Sequence, residues 1–108
     1  MLWIPGGGLT DGGEAVAATN AQALAARGII VVSINYRVAA FGLLAHPAVE
    51  PEPDGTRGNQ AARDALAALT WVHANADAFG GDPRRITVAG QSAGGALTYI
   101  LLAHPEAK

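Results

Sequence analysis

Cysteine is absent from this 108-residue chain, so it holds no disulfide framework and no thiolate metal site. Charge is sparse as well. Seven basic and nine acidic residues leave a net charge of −2, and the only basic pair is Arg84-Arg85. That distribution lacks the basic stripe of a nucleic-acid partner and the polybasic patch of a membrane-surface protein. No apolar run reaches the roughly 18 residues of a membrane-spanning helix. The first residues form an apolar, strand-like run rather than the basic opening of a signal peptide. Aromatics are few, with two each of Trp, Tyr and Phe. Half of the residues are hydrophobic, but 24 are alanine, and a further 14 residues are glycine. The core available is therefore that of one small domain, less generous than the hydrophobic fraction suggests. The three histidines, His46, His73 and His104, show no metal-ligand spacing. A zinc hydrolase is disfavoured on that ground, and no cofactor is expected.

What is present is an alternation. Residues 1–4 read as a buried strand stopped by Pro5 and three glycines. Thr10 or Asp11 is placed to cap an alanine-rich helix over about residues 14–27, and Gly28 is a natural stop for it. The β-branched run 29–34 predicts a strand buried on both faces. Residues 35–58, punctuated by Pro47, Pro51, Pro53 and Asp54-Gly55, show no strong period. So long a stretch inside a compact domain is usually functional or disordered. Asn59 is placed to cap a helix reaching about Ala78, whose apolar face is Ala62, Ala65, Leu66, Leu69, Val72 and Ala76. A third strand over 85–89 enters Gly90-Gln91-Ser92, and a last helix runs over 93–103. Strand, helix, strand, helix, strand, helix predicts parallel strands joined by right-handed crossovers, an α/β architecture.

Gly90-Gln91-Ser92-Ala93-Gly94 matches G-x-S-x-G at a strand-to-helix turn. Such a turn holds its serine in a strained conformation with the hydroxyl exposed, and it needs small residues two positions either side. The motif by itself also fits a plain turn; the strand and helix around it favour a nucleophile. The helix that follows aims its first amides at the site, so the Ala93 N–H is placed to donate to a developing oxyanion. Gly6-Gly7-Gly8, after the first strand, lets backbone amides approach a substrate oxygen unobstructed. Alone, this loop reads equally well as a flexible turn. No G-K-[ST] follows it, which disfavours a phosphate loop. Beside the elbow it would supply the other oxyanion donors.

These residues carry a resemblance. Trp3-Ile4-Pro5-Gly6-Gly7-Gly8, Ser33-Ile34-Asn35-Tyr36-Arg37-Val38, Ala40-Phe41-Gly42-Leu43-Leu44-Ala45, Gly58-Asn59, Leu69-Thr70-Trp71-Val72, Phe79-Gly80-Gly81-Asp82-Pro83 and Ile86-Thr87-Val88-Ala89-Gly90-Gln91-Ser92-Ala93-Gly94-Gly95 follow one another over nearly all of the chain. In order and spacing the chain resembles the central catalytic segment of a type-B carboxylesterase, the group of cholinesterases and para-nitrobenzyl esterases. The resemblance implies a partial α/β-hydrolase fold of three parallel strands alternating with helices, ending after the nucleophile elbow. It implies Ser92 as nucleophile, the amides of Gly7, Gly8 and Ala93 as oxyanion hole, and a small-molecule carboxylic ester as substrate. Residues 35–45 would support the active-site floor, and Asp64, Asn75 and Asp82 would be structural. Three positions depart from the family pattern: Pro5 where relatives often carry histidine or tyrosine, Gln91 for glutamate, and Ala61 for glycine.

A serine nucleophile needs a base, and the base an orienting acid. In this fold the chain order is serine, acid, histidine. After Ser92 come only His104 and Glu106 of those types, and 12 residues of continuous helix put His104 roughly 18 Å away along the axis. His46 and His73 precede the serine and read as surface or packing histidines, and Glu50 and Glu52, between prolines, as a solvated segment. Trp71 and Tyr99 read as core or rim. The expectation is a piece of a longer ester hydrolase without its acid and histidine, in which turnover is little or none. The alternatives are a cholinesterase-like interaction domain and a hormone-sensitive-lipase-like esterase.

Overall fold

The computed structural model describes residues 1–11 and 21–107. Its elements are β1 (Leu2–Ile4), α1 (Ala21–Ala25), β2 (Val32–Ser33), α2 (Ala39–Leu43), α3 (Gln60–Asn75), β3 (Val88–Gly90) and α4 (Ala93–Ala103), with 3-10 turns at Ala76–Phe79 and Pro105–Ala107. The three strands form one parallel sheet in the order β2-β1-β3, so the α/β alternation read from the sequence is the architecture observed. Leu2 pairs with Val32 on one side and Val88 on the other, and Ile4 pairs with Gly90.

Alternation along β1 sends Leu2 and Ile4 to one face, where both are fully buried. They meet Ala61, Ala65, Leu66 and Val72 of α3 and Leu97 and Leu101 of α4. The 3.6-residue stripe expected on α3 is therefore its core face, joined by Ala61. The Arg37 carbonyl occupies the space where a Gly42 side chain would start, and the Ala61 methyl lies in ordinary contact beyond it, 3.4 Å from that point. Asn59 precedes α3 but makes no side-chain cap. At Asn75 the helix tightens into the 3-10 turn Ala76–Phe79, and that turn ends at Gly80, which is left-handed at φ 78 and donates its N–H to the Ala76 and Asp77 carbonyls.

Two expectations need correction. The run 29–34 was expected as a strand buried on both faces, yet only Val32 and Ser33 are strand, and both are half-buried. Among the described residues β2 has β1 on one side and no strand on the other, so its outer edge and flank lack cover. The segment 35–58 is not featureless. It forms α2, one turn too short to show a period: Gly42 N–H closes the turn on the Val38 carbonyl (3.2 Å), and Ala39 N–H ties its start to the Leu9 carbonyl (2.6 Å). The start of the helix expected over 14–27 lies outside the described residues; Ala21–Ala25 and the stop at Gly28 (φ 80) match it.

Two arginines pin the 51–58 segment to the body. The Arg37 backbone N–H and guanidinium grip Asp64 of α3 at 2.8–3.2 Å, and its Nη1 reaches Glu52 at 2.5 Å. Glu52 is thus an ion-pair partner rather than a freely solvated acid. Arg63 pairs with Asp54 and with Glu106. The Thr56 hydroxyl and amide, with Arg63 behind them, hold the Asp54 carboxyl down to about 2 from its usual 3.8. A depressed folded-state pKa stabilises this turn above about 3.9, and the contribution is lost as pH falls through the folded value. We expect an NMR titration of the Asp54 carboxyl to give a midpoint near 2, with the Thr56 amide losing exchange protection over the same range. A midpoint at the ordinary aspartate value would refute this.

Candidate active site

The sheet register builds the site. Ile4↔Gly90 pairing brings the carboxyl ends of β1 and β3 side by side, so the loops leaving them must meet. The crevice beyond strand carboxyl ends is where open α/β sheets bind ligands. From β1 the chain passes through Pro5 into Gly6-Gly7-Gly8, and from β3 it passes through Gln91 into Ser92.

Ser92 has φ 54 and ψ −121, a conformation that L-residues rarely adopt and that costs about 1–3 kcal/mol. Its neighbours permit the turn only because they lack side chains. A Cβ on Gly90 would run into the Gly94 backbone and stand 2.8 Å from the Gly95 nitrogen. A Cβ on Gly94 would stand 2.6 Å from the Ile4 carbonyl carbon and 2.7 Å from the Pro5 oxygen. The start of α4 is thereby pressed onto the end of β1. Gly94 N–H donates to Gln91 (2.9 Å) and Ala96 N–H to the Ser92 carbonyl (3.1 Å). Ala93, at the first position of α4, carries one of the leading amides that no helical carbonyl can reach.

The glycine loop touches the elbow. A Cβ on Gly6 would stand 3.0 Å from Ser92 Cβ and 2.8 Å from the Gln91 carbonyl oxygen. Gly7 (φ 132) and Gly8 (φ 63) occupy backbone space that favours glycine. The Gly7 carbonyl accepts from the Thr10 and Asp11 amides, both at 3.1 Å, and from the Thr10 hydroxyl at 3.2 Å, closing the loop into a turn. Residues 36–39 hold both of its ends: the buried Tyr36 hydroxyl donates to the Pro5 carbonyl at 2.9 Å, and Ala39 N–H to Leu9. Burial raises the Tyr36 phenol above its ordinary value of 10, keeping it protonated as the donor. That hydroxyl is a feature the sequence alone did not single out: Tyr36 belongs to a motif block, but nothing local says where its oxygen points.

The glycine loop and the turn that carries Ser92 and Ala93 therefore meet, at Gly6, beyond the carboxyl ends of β1 and β3. α4 is unbroken from Ala93 to Ala103, about 16 Å at 1.5 Å per residue, and His104 caps its far end with Nδ1 accepting from the Glu106 amide at 3.3 Å. His46 Nδ1 accepts from the Ala48 amide at 3.1 Å, and His73 is exposed on α3. Asp82 accepts from the Arg84 amide (2.9 Å) and Asn75 donates to the Trp71 carbonyl (2.8 Å), both structural. Among the described residues no three acids or histidines gather as metal ligands. No helix there is long and apolar enough to cross a membrane. Trp71 packs against Phe79 with ring centroids 6.0 Å apart and is half exposed; Tyr99 is exposed, so neither is core. A groove of about 470 Å³ lined by Ile30, Trp71, Phe79 and Ile86 lies at the amino ends of the strands, away from Ser92.

Comparison with known proteins agrees with this arrangement. The sequence model of the carboxylesterase family matches residues 1–108. The chain is 47% identical over 106 residues to fumonisin B1 esterase of Sphingopyxis macrogoltabida, covering 97% of this chain and 20% of that protein. It is 42% identical over 109 residues to para-nitrobenzyl esterase of Bacillus subtilis, covering 100% of this chain and 22% of the relative. A carboxylesterase from Geobacillus stearothermophilus superposes with TM-score 0.89 at 42% identity, over 99% of this chain and 23% of that one. The chain thus spans about a fifth of the length of the curated relatives it matches. With parallel strands, a serine elbow and a glycine loop all in family order, the chain belongs to the carboxylesterase family.

Proposed function

We propose that this segment supplies the nucleophile and the oxyanion donors of a carboxylic ester hydrolase that acts through an acyl-enzyme. Ser92 Oγ adds to the ester carbonyl, and its proton passes to a base contributed from outside these residues. The carbonyl oxygen becomes an oxyanion held by the Gly7, Gly8 and Ala93 amides. Collapse expels the alcohol, which takes up the proton, and water then releases the acid from Ser92 by the same route. The observation that carries this reading is Ser92 at φ 54, ψ −121 beside the glycine loop: strain of this kind persists where the surroundings enforce it. Exposed Phe41, Tyr99 and Leu102 support a segment that works inside a larger domain.

A fluorophosphonate probe tests it. In a full-length chain, peptide mapping should find the adduct on Ser92. The 108 residues alone should label and turn over para-nitrophenyl acetate only at background, because the one histidine that follows the serine, His104, stands at the far end of α4. Full-length protein that binds no probe would favour a non-catalytic interaction domain. Turnover by the 108 residues that Ser92→Ala abolishes would show that they hold a base of their own.

A further inference from the structure

We propose that Tyr36 is the positioning residue of the oxyanion loop: its hydroxyl, acting through the Pro5 carbonyl, sets where the Gly7 and Gly8 amides stand relative to Ser92. This rests on the reading that Ser92 is the residue acylated.

Three glycines impose little shape of their own, so beyond the turn that Thr10 and Asp11 close on the Gly7 carbonyl, the loop is fixed from its ends. At the entrance, Pro5 has no N–H, and its carbonyl is the polar handle on the peptide plane that leads into Gly6. That oxygen is held from two sides. The Tyr36 hydroxyl donates to it at 2.9 Å, and α4 presses against it at Gly94, where a Cβ would stand 2.7 Å away. At the exit, Leu9 (φ 63) and Ala39 (φ 50) are both left-handed without being glycine, and Ala39 N–H donates to Leu9 at 2.6 Å. Both clamps come from residues 36–39, and Arg37 between them is forked onto Asp64 of α3. A continuous bracket therefore runs from α3 through Arg37 to the two ends of the glycine loop. Tyr36 is the one member that reaches the loop with a side chain. Its hydroxyl is buried, so its loss leaves the Pro5 oxygen without that donor and frees the peptide plane to rotate. Rotation there moves the amides that follow, while Ser92, held by Gly90 and Gly94, stays in place.

Misplacement of about 1 Å at a reacting centre can lower a rate on the order of a hundredfold. In the full-length esterase, Tyr36→Phe is expected to lower kcat about ten- to a hundredfold with KM nearly unchanged. Affinity for a trifluoromethyl ketone, whose adduct places an oxyanion in the same hole, should fall in proportion. Asp64→Asn, which loosens the bracket from its other end, should lower kcat in the same direction by a smaller factor. A Tyr36→Phe enzyme whose kcat and ketone affinity match the parent, with only a lower melting temperature, would overturn the proposal, as would a rise in KM alone. Ser92→Ala serves as the reference: if turnover survives it, the acyl-enzyme reading fails first.

Discussion

On the proposed acyl-enzyme reading, Ser92→Ala in a full-length chain is expected to lower kcat for a para-nitrophenyl ester by about a millionfold, the scale on which removing a serine nucleophile from an assembled catalytic group acts, with KM little changed. The substitution leaves the proposed oxyanion donors in place: Gly7 and Gly8 stay bracketed by Tyr36 and Ala39, and Ala93 stays at the head of α4. What disappears is the atom that forms the bond, so binding survives and chemistry does not. Strain supplies an independent readout. Ser92 sits at φ 54, where glycine is free of the side-chain penalty. Ser92→Gly should therefore be as inactive as the alanine variant yet more stable than it, by about 1 kcal/mol. Calorimetry on the three proteins checks this. Equal melting temperatures for glycine and alanine at position 92 would show that the turn stores no strain, and residual turnover within a hundredfold of the parent would remove Ser92 from the mechanism.

Gly94→Ala should be nearly as damaging through a different route. Its added methyl group would stand 2.6 Å from the Ile4 carbonyl carbon and 2.7 Å from the Pro5 oxygen, and neither backbone atom can rotate aside. Either α4 lifts off β1, exposing Leu97 and Leu101, or β1 shifts and carries the glycine loop away from the serine. Overpacking of a core typically costs about 1–3 kcal/mol and sometimes more; with backbone on the receiving side, about 3 kcal/mol is expected here. That is a large share of the roughly 5–15 kcal/mol that a domain possesses. Gly95→Ala is the internal control. Its methyl group would lie 3.5 Å from the Gly90 oxygen, ordinary contact, and a glycine in α4 gives up roughly 1 kcal/mol of helix propensity relative to alanine. Denaturant melts should separate the neighbours by several kcal/mol. Similar stability for both would mean that the approach of α4 to β1 is looser than these distances require.

The contrast between those two glycines marks how far reading along the chain can go. G-x-S-x-G identifies the elbow, and strand and helix signals on either side give it context, because a strand-to-helix turn around a serine is local chemistry. The alternation of elements likewise implied a parallel sheet, since short crossovers through helices leave few other topologies. The α3 face was legible for the same reason: a 3.6-residue period over 16 residues is long enough to declare itself. α2 was not, being a single turn of five residues, too short to show a period, tied by Ala39 N–H to the Leu9 carbonyl 30 residues earlier. The Glu52–Arg37 pair was hidden too, because a carboxylate between prolines looks solvated until the fold supplies a guanidinium 15 residues distant in sequence.

Read along the chain, the residues already place Ser92 in a G-x-S-x-G strand-to-helix turn, a glycine loop after the first strand, and no histidine within reach of the serine along α4. Helix rise alone fixes that last distance. Only the tertiary structure decided that the loop and the elbow meet. That depends on the Ile4↔Gly90 register and on Gly6 and Gly94 admitting a backbone approach. It also decided what keeps them together, the Tyr36 hydroxyl on the Pro5 carbonyl. Contacts between residues 31 positions apart are set by packing geometry, which no local pattern in the chain encodes.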